Sequence, residues 1–246
     1  RSGNYGKANS ILPKQLAKPF CIIANSLNVY PWLDYHYAYS LGNYVKKEES
    51  LGLTWENLEM AVKFSGLPDE RGFIMLHVDI NEHSPELLSG VFSTLELLQN
   101  REDSSTFSDD DVYKNLDKCH RAMRKVNERR KVMWKASRWR HYNDFRVFIM
   151  GIKGNEEIFG DGVIYEGVDN HPRQYRGQTG AQDNLIPTMD IFSGVINHYP
   201  NNELTHYLID LRSYRPVCVQ RFFEDLRFDV TNLHPDGLIG TLREHN

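Results

Sequence analysis

The chain has 246 residues, 40% of them hydrophobic, and a formal net charge of −4. That is enough apolar material for one sizeable core, and too small a charge imbalance for the whole surface to attract nucleic acid or membrane. No stretch approaches the roughly 18 consecutive apolar residues that suggest a bilayer crossing, and no basic start followed by an apolar run marks a secretory leader. Three cysteines, Cys21, Cys119 and Cys218, stand far apart with no CxxC pair, which reads as reduced thiols in a cytoplasmic protein. The sequence opens at Arg1 and closes on LREHN, so one or both natural ends are expected to be missing.

Taken in chain order, LTWENLEMAVKF predicts a helix, with Trp55, Leu58 and Val62 at i, i+3 and i+7 and Thr54 placed as a cap. RGFIMLHVDI follows, with Phe73, Ile74, His77 and Ile80 in one stripe, so His77 points inward with apolar company. Two readings of that histidine stand: a core imidazole hydrogen-bonded to backbone, or one facing a pocket. Residues 77–83, HVDINEH, raise the question of a metal site. His77 and His83 are six apart, however, and at about 100° per residue they fall on nearly opposite sides of a helix. Asp79 and His83 read instead as a polar helix end, and no metal ligands are assigned here.

HSPELLSGVFSTLELLQN is the strongest helical signal, with Ser84 as N-cap, Pro85 at N1, and Leu87, Leu88, Val91, Leu95 and Leu98 on one face. Residues 101–117, REDSSTFSDDDVYKNLD, are acidic and read as an exposed linker. From Lys118 to Arg140 the charge reverses, with ten Lys/Arg against Glu128 alone, and Trp134 and Trp139 interleaved. Basic residues beside aromatics are the footprint of an anionic partner. The plainer reading is a solvated helix face that balances the acidic linker before it. Nucleic acid is not the expected ligand, and the segment 118–140 stands as a candidate surface for a protein partner. DGVIYEGV alone has a strand-like look, and NNELTHYLIDLRSYRP predicts a further helix with Leu204, Tyr207, Leu208 and Leu211 on one side, ending before Pro216. The sum is a mainly α protein. Residues 1–50 read as part of a small N-terminal domain with its linker, and 51–246 as a large helical domain with an acidic/basic insertion at about 100–140.

Several stretches together, in order and at similar spacings, carry a resemblance: ILPKQLAKPFCIIANSLNVYPWLDY, LTWENLEMAVKF, RGFIMLHVDI, FRVFIMGIKGN, DGVIYEGV, YRGQTGAQ and LRSYRPVCVQRFFEDL. This sequence resembles the indoleamine 2,3-dioxygenase family of haem proteins, over about Ile11 to Glu244. The resemblance implies a helical haem-dioxygenase-like large domain under part of a smaller N-terminal domain, with haem held between long helices. It also implies insertion of both atoms of O2 across the indole C2–C3 bond of L-tryptophan or a related indoleamine, giving N-formylkynurenine, the kynurenine-pathway step of tryptophan catabolism.

On that resemblance His77 falls in the distal pocket, as a hydrogen-bonding group to the indole N–H or bound oxygen, and Phe73 and Tyr35 wall the pocket with aromatic surface. Arg146 matches the arginine that takes the substrate carboxylate, a task suited to a rigid guanidinium fork; on the residues alone it reads as a surface salt bridge. Thr179 and Gly180 fall in the loop that closes over the haem edge, where they would meet the substrate ammonium or a haem propionate, while on the residues alone Gly177 and Gly180 fit an ordinary turn. The cofactor contacts implied are Phe73, His77 and Thr179. The family's proximal histidine is expected beyond residue 246. Two departures stand out: Val219 occupies a position where the family usually has histidine, and His141 one where relatives carry an aromatic ring. The expected loss of the N-terminus and of the C-terminal helix, with the altered RPVCVQRF stretch, motivates an alternative, a non-catalytic member serving as a haem O2 carrier or as a haemless subunit of a larger assembly.

Overall fold

Apolar residues recurring at helical spacing between good boundary residues produce the longest elements here. The structure is a computed structural model that describes residues 8–101 and 108–245. Its elements are β1 (Ile11–Leu12), α1 (Lys14–Leu27), a wide helical turn at Tyr35–Tyr39, β2 (Tyr44–Lys46), β3 (Leu58–Met60), α2 (Pro68–Asn81), α3 (Ser84–Gln99) and α4 (Asp109–Arg130). Then come α5 (Met133–Ala136), α6 (Tyr142–Ile149), α7 (Glu156–Phe159), β4 (Val163–Tyr165), β5 (Pro172–Arg173), α8 (Leu185–Ser193), α9 (Glu203–Asp210), α10 (Val217–Leu233) and α11 (Gly237–His245). The mainly α expectation is met. None of the helices among the described residues is long and apolar enough to cross a membrane.

Three apolar clusters hold these elements together. The largest joins α3, α4, α8 and α10 through Leu87, Val91, Leu95, Val126, Phe192 and Leu226. Close packing of α3 on α4 depends on Gly90, where a Cβ would stand 2.6 Å from Cys119 Sγ and 2.7 Å from the Asn115 carbonyl. A second cluster sets Tyr35, Tyr39, Leu58 and Met60 against Ile74, Met75 and Val78 of α2. The third packs α1 on β4 through Ala17, Cys21, Val163 and Tyr165. There DGVIYEGV supplies β4, which pairs parallel with β1 and antiparallel with β5.

Two sequence expectations change. Residues 53–64 do not form a helix: Leu58–Met60 is a strand, paired antiparallel with Tyr44–Lys46 so that Tyr44 faces Met60. Distant hydrogen bonds prevail over local periodicity. The Asp79 carboxylate takes the Trp55 N–H at 2.7 Å, and the Asn43 side-chain oxygen takes the Val62 N–H at 2.7 Å. Within the strand Leu58 and Met60 are buried and Glu59 between them is not, a period of two, and Val62 beyond it is 64% exposed. The acidic stretch is not a linker through 117 either. Residues 102–107 lie outside the described residues, and from Asp109 the chain is helical, with Asp109, Asp110 and Asp111 in the first turn where the amide dipoles favour anions.

Smaller corrections follow the same logic. His83, not Ser84, occupies the cap of α3, and Pro85 still sits in its first turn. Leu204 is 65% exposed, so the buried side of α9 is carried by Thr205 and, past the helix end, by Leu211. Asp79 is no solvated helix end. Its side chain is 1% exposed and receives Nε and Nη2 of Arg129 at 2.7 and 2.5 Å.

The basic run is drawn inward in the same way. Arg121 and Lys125 pair with Glu86 at 3.1 and 2.9 Å, and Arg138 with Asp69 at 2.7 Å. Carboxylates of α2 and α3, rather than the acidic stretch alone, balance it. Trp134 and Trp139 remain exposed, at 59% and 69%. Because Asp79 would be left charged and buried, Arg129→Ala is expected to lower unfolding free energy by about 3–5 kcal/mol in urea titrations. Arg124→Ala, which removes an exposed pair with Glu128, should change it by no more than about 0.5 kcal/mol. Equal effects would remove the buried pair from its structural role.

Candidate functional site

The site grows from the middle of α2. Pro68 starts that helix, and the Glu70 carboxylate, fully buried, fixes the entering turn by accepting the Phe64, Ser65 and Gly66 amides at 2.7, 2.7 and 2.9 Å. With the start set, the helical period turns Ile74 and His77 toward the core, as the stripe predicts. His77 is 6% exposed, and its Nδ1 lies 2.9 Å from the Phe73 carbonyl. A carbonyl can only accept, so Nδ1 carries the proton and Nε2 the lone pair. The ring stands edge-on to Phe73 and Tyr35, with centroids 5.1 and 6.0 Å away, and Tyr39 lies at 6.5 Å. Burial holds the imidazole below the ordinary histidine value, against the opposing pull of the Asp183 carboxylate.

Opposite α2 runs the loop 177–184. Arg146 on α6 donates from Nη1 to the Gln178 carbonyl at 3.0 Å, and Gln178 N–H donates to the Ile149 carbonyl at 2.8 Å. The Gln178 side-chain amide reaches the Leu33 carbonyl, tying this loop to the segment that enters the Tyr35–Tyr39 turn. Thr179 caps the short turn 180–182. Its Oγ1 accepts the Ala181 N–H at 3.3 Å, while Gln182 Oε1 accepts the Thr179 N–H at 3.0 Å. At Gly180 a Cβ would stand 2.8 Å from His77 Nε2, so glycine is what lets the loop lie against the imidazole.

Asp183 closes the arrangement. Buried at 6% exposure, it accepts the Tyr35 hydroxyl at 3.2 Å, Asn81 Nδ2 at 2.5 Å and the Leu185 amide at 2.9 Å. Arg215, 2% exposed, binds the same loop through the Ala181 and Asp183 carbonyls at 3.3 and 3.2 Å and through Asn184 Oδ1 at 3.1 Å. His36, also buried, meets Asn184 at 3.2 Å.

Between α2, α4 and α8 lies a cleft of about 440 Å³, walled by Leu76, Ile80, Met123, Val126, Met133 and Leu185 and reached by His77, Gly180, Asp183 and Arg130. Of the six residues singled out in the sequence, His77 and Gly180 line this cleft. Tyr35 and Phe73 pack on the His77 ring, and Arg146 and Thr179 belong to the loop and its support. Arg146 is half-buried, and no carboxylate among the described residues is within ion-pair distance of it, so it is not the surface salt bridge its sequence setting suggests. His83 lies at the head of α3 and does not join His77. Among the described residues no group of three or more His, Cys, Asp or Glu side chains is placed to hold a metal ion.

A family model for Indoleamine 2,3-dioxygenase matches residues 3–236. The chain belongs to the indoleamine 2,3-dioxygenase family. Among curated proteins, it is 28% identical over 222 residues to Indoleamine 2,3-dioxygenase 2 of Mus musculus, covering 90% of this chain and 52% of that protein. It is 23% identical over 223 residues to Indoleamine 2,3-dioxygenase 1 of Rattus norvegicus, covering 88% and 51%. A shorter match, 31% over 85 residues, covers 35% of this chain and 22% of the Myoglobin of Haliotis madaka. The chain thus spans about half the length of the indoleamine 2,3-dioxygenases it matches.

For this family member, sequence reasoning missed Asp183, Asn81, Asn184, Arg215 and His36. Asp183 carries one local signal, an acidic residue just ahead of α8, where it does cap the Leu185 amide; its other bonds come from residues 102 and 148 positions away. The buried imidazole gives a pH signature. The unfolded chain takes up a proton near the ordinary value of 6.5 that the folded one resists, so stability is expected to fall as pH drops below about 6.5. Urea titrations across pH 5–8 should show that slope, and a flatter one in His77→Gln. An unchanged slope in the variant would clear His77 as its source.

Proposed function

We propose that this chain supplies the distal wall of a haem-dependent dioxygenase site that opens the indole ring of L-tryptophan or a related indoleamine to N-formylkynurenine. The observation that carries it is the 2.9 Å contact of His77 Nδ1 with the Phe73 carbonyl: with Nδ1–H committed there, Nε2 is a neutral acceptor beside an apolar cleft, suited to an indole N–H. An imidazolium could only donate there, and burial keeps the ring neutral near pH 7.

The cleft suits the cofactor. Its volume of about 440 Å³ is in the range of roughly 300–1,000 Å³ usual for ligand and cofactor pockets, and its walls are aliphatic side chains and methionines fit for a porphyrin face. Arg130 lines it without a carboxylate partner among the described residues, and so suits a propionate. Haem, when bound, supplies the iron at which O2 is activated.

The chain's own residues do the rest. Arg146 keeps guanidinium N–H groups for a substrate carboxylate after its bond to Gln178. The Thr179 hydroxyl retains its proton for a propionate and a lone pair for a substrate ammonium. Tyr35 and Phe73 hold the His77 ring edge-on and fix where Nε2 points, and the aliphatic walls exclude water. Unpaired thiols at Cys21, Cys119 and Cys218 suit the cytoplasm, where we place the protein.

The test is haem reconstitution read by the Soret band, followed by assay of N-formylkynurenine from tryptophan under reducing conditions. Arg146→Ala should raise KM about 10- to 150-fold, the loss of a charge-assisted bond of about 1.5–3 kcal/mol, with the Soret band intact. His77→Ala should erase the preference for tryptophan over 1-methyltryptophan, which has no indole N–H. Unaltered kinetics in both variants would discard the reading. The alternative, a haem O2 carrier, is favoured by the match to a protein named myoglobin; reversible O2 binding with no product would establish it, and failure to take up haem would leave the haemless subunit.

A further inference from the structure

Helix α8 has a second face. While Leu185 and Ile186 turn to the cleft beside His77, Pro187 and Ile191 line another cleft, of about 350 Å³, bounded by the 211–214 turn and α10. Three guanidiniums reach it, from Arg212, Arg215 and Arg227, with Glu224 as the carboxylate among its lining side chains. Arg215 is 2% exposed, every acceptor it meets is a neutral oxygen, and its Nη1 has no partner.

Arg212 is half-buried, and neither it nor Arg227 forms an ion pair among the described residues. The carboxylate acting on Arg212 is Asp190, which already accepts the Tyr199 hydroxyl. Burial first, then the neighbouring guanidinium in each case, holds Arg212 and Arg215 below the ordinary arginine value, Arg215 at about 10. Arg215 nevertheless stays charged at neutral pH. Cations drawn this close without matching carboxylates are costly, and an anion placed among them removes the cost.

The remaining walls decide what kind of anion. Ile191, Ile209 and Phe223 line the same cleft, and the Arg215 guanidinium lies 5.3 Å from the centre of the Phe223 ring. A bare inorganic ion would leave that apolar surface in water. We propose that this cleft is a second binding site, for a small organic carboxylate whose charged end sits among Arg212, Arg215 and Arg227 and whose apolar body rests on Ile191, Ile209 and Phe223. The site is separate from the His77 cleft and does not depend on the proposed dioxygenase activity.

Isothermal titration calorimetry of the chain with benzoate tests it, using benzamide as the neutral isostere and inorganic phosphate as the bare anion. Benzoate should bind, benzamide should not, and phosphate should bind more weakly than benzoate. Arg212→Gln/Arg227→Gln should weaken benzoate binding at least tenfold, with folding checked by circular dichroism. Arg227→Gln alone, at an exposed position, gives a smaller loss in the same direction if the double variant does not fold. Arg146→Ala should leave benzoate binding unchanged. Absence of benzoate binding, equal binding of benzamide, tighter binding of phosphate, full affinity in the arginine variants, or loss of binding in Arg146→Ala would each overturn the proposal.

Discussion

The site hangs on the Asp183 carboxylate. It is buried, and it stays tolerable there because three donors from separate parts of the chain converge on it: the Tyr35 hydroxyl, the Asn81 amide and the Leu185 N–H. An ionised carboxylate in a dry interior is expensive unless so satisfied. The requirement to satisfy it therefore fixes the Tyr35–Tyr39 turn, the end of α2 and the start of α8 relative to one another. His77 lies one helical turn before Asn81, so the same bond that satisfies Asp183 sets the position of the imidazole.

Around that junction the polar groups form a graded shell. Arg215 and Asn184 hold the loop 181–184 from outside, Gln178 ties its start to the Leu33 carbonyl, and Arg146 rests on the Gln178 carbonyl. The imidazole is left with one free lone pair and apolar neighbours, a combination that keeps it neutral and directional. Helix α8 then separates two clefts of unlike character, one aliphatic and reached by a neutral imidazole, the other lined by guanidiniums. A single short helix can do this because residues on its opposite sides face different neighbours.

Much of the framework was legible in the residues. Leu87, Val91, Leu95 and Leu98 at helical spacing behind Ser84-Pro85 marked α3 within one residue, and the Phe73–His77 stripe turned the histidine inward as read. The strand at DGVIYEGV and the helix from Glu203 were visible in outline. LTWENLEMAVKF was misread because its periodicity is compatible with a helix while its backbone bonds go to Asp79 and Asn43, neither of which a local window contains. The acidic stretch misled for a related reason. Composition suggests solvation, yet aspartates at Asp109–Asp111 also suit a helix start, and α4 buries Val112, Cys119, Ala122 and Val126 against α3.

By itself the sequence determined the helical class, the inward direction of His77, and the ordered motifs that placed the chain beside the indoleamine 2,3-dioxygenases. The first two follow from spacing, because a helix repeats every 3.6 residues whatever surrounds it; the last rests on the resemblance of those motifs in their order. Only the tertiary structure decided that Arg129 belongs to Asp79, that Arg146 meets a carbonyl rather than a carboxylate, that Gly180 touches the imidazole, and that Asp183 and Arg215 organise the loop. Those pairings join residues scores of positions apart, and their strength comes from burial, which no local pattern of residues specifies.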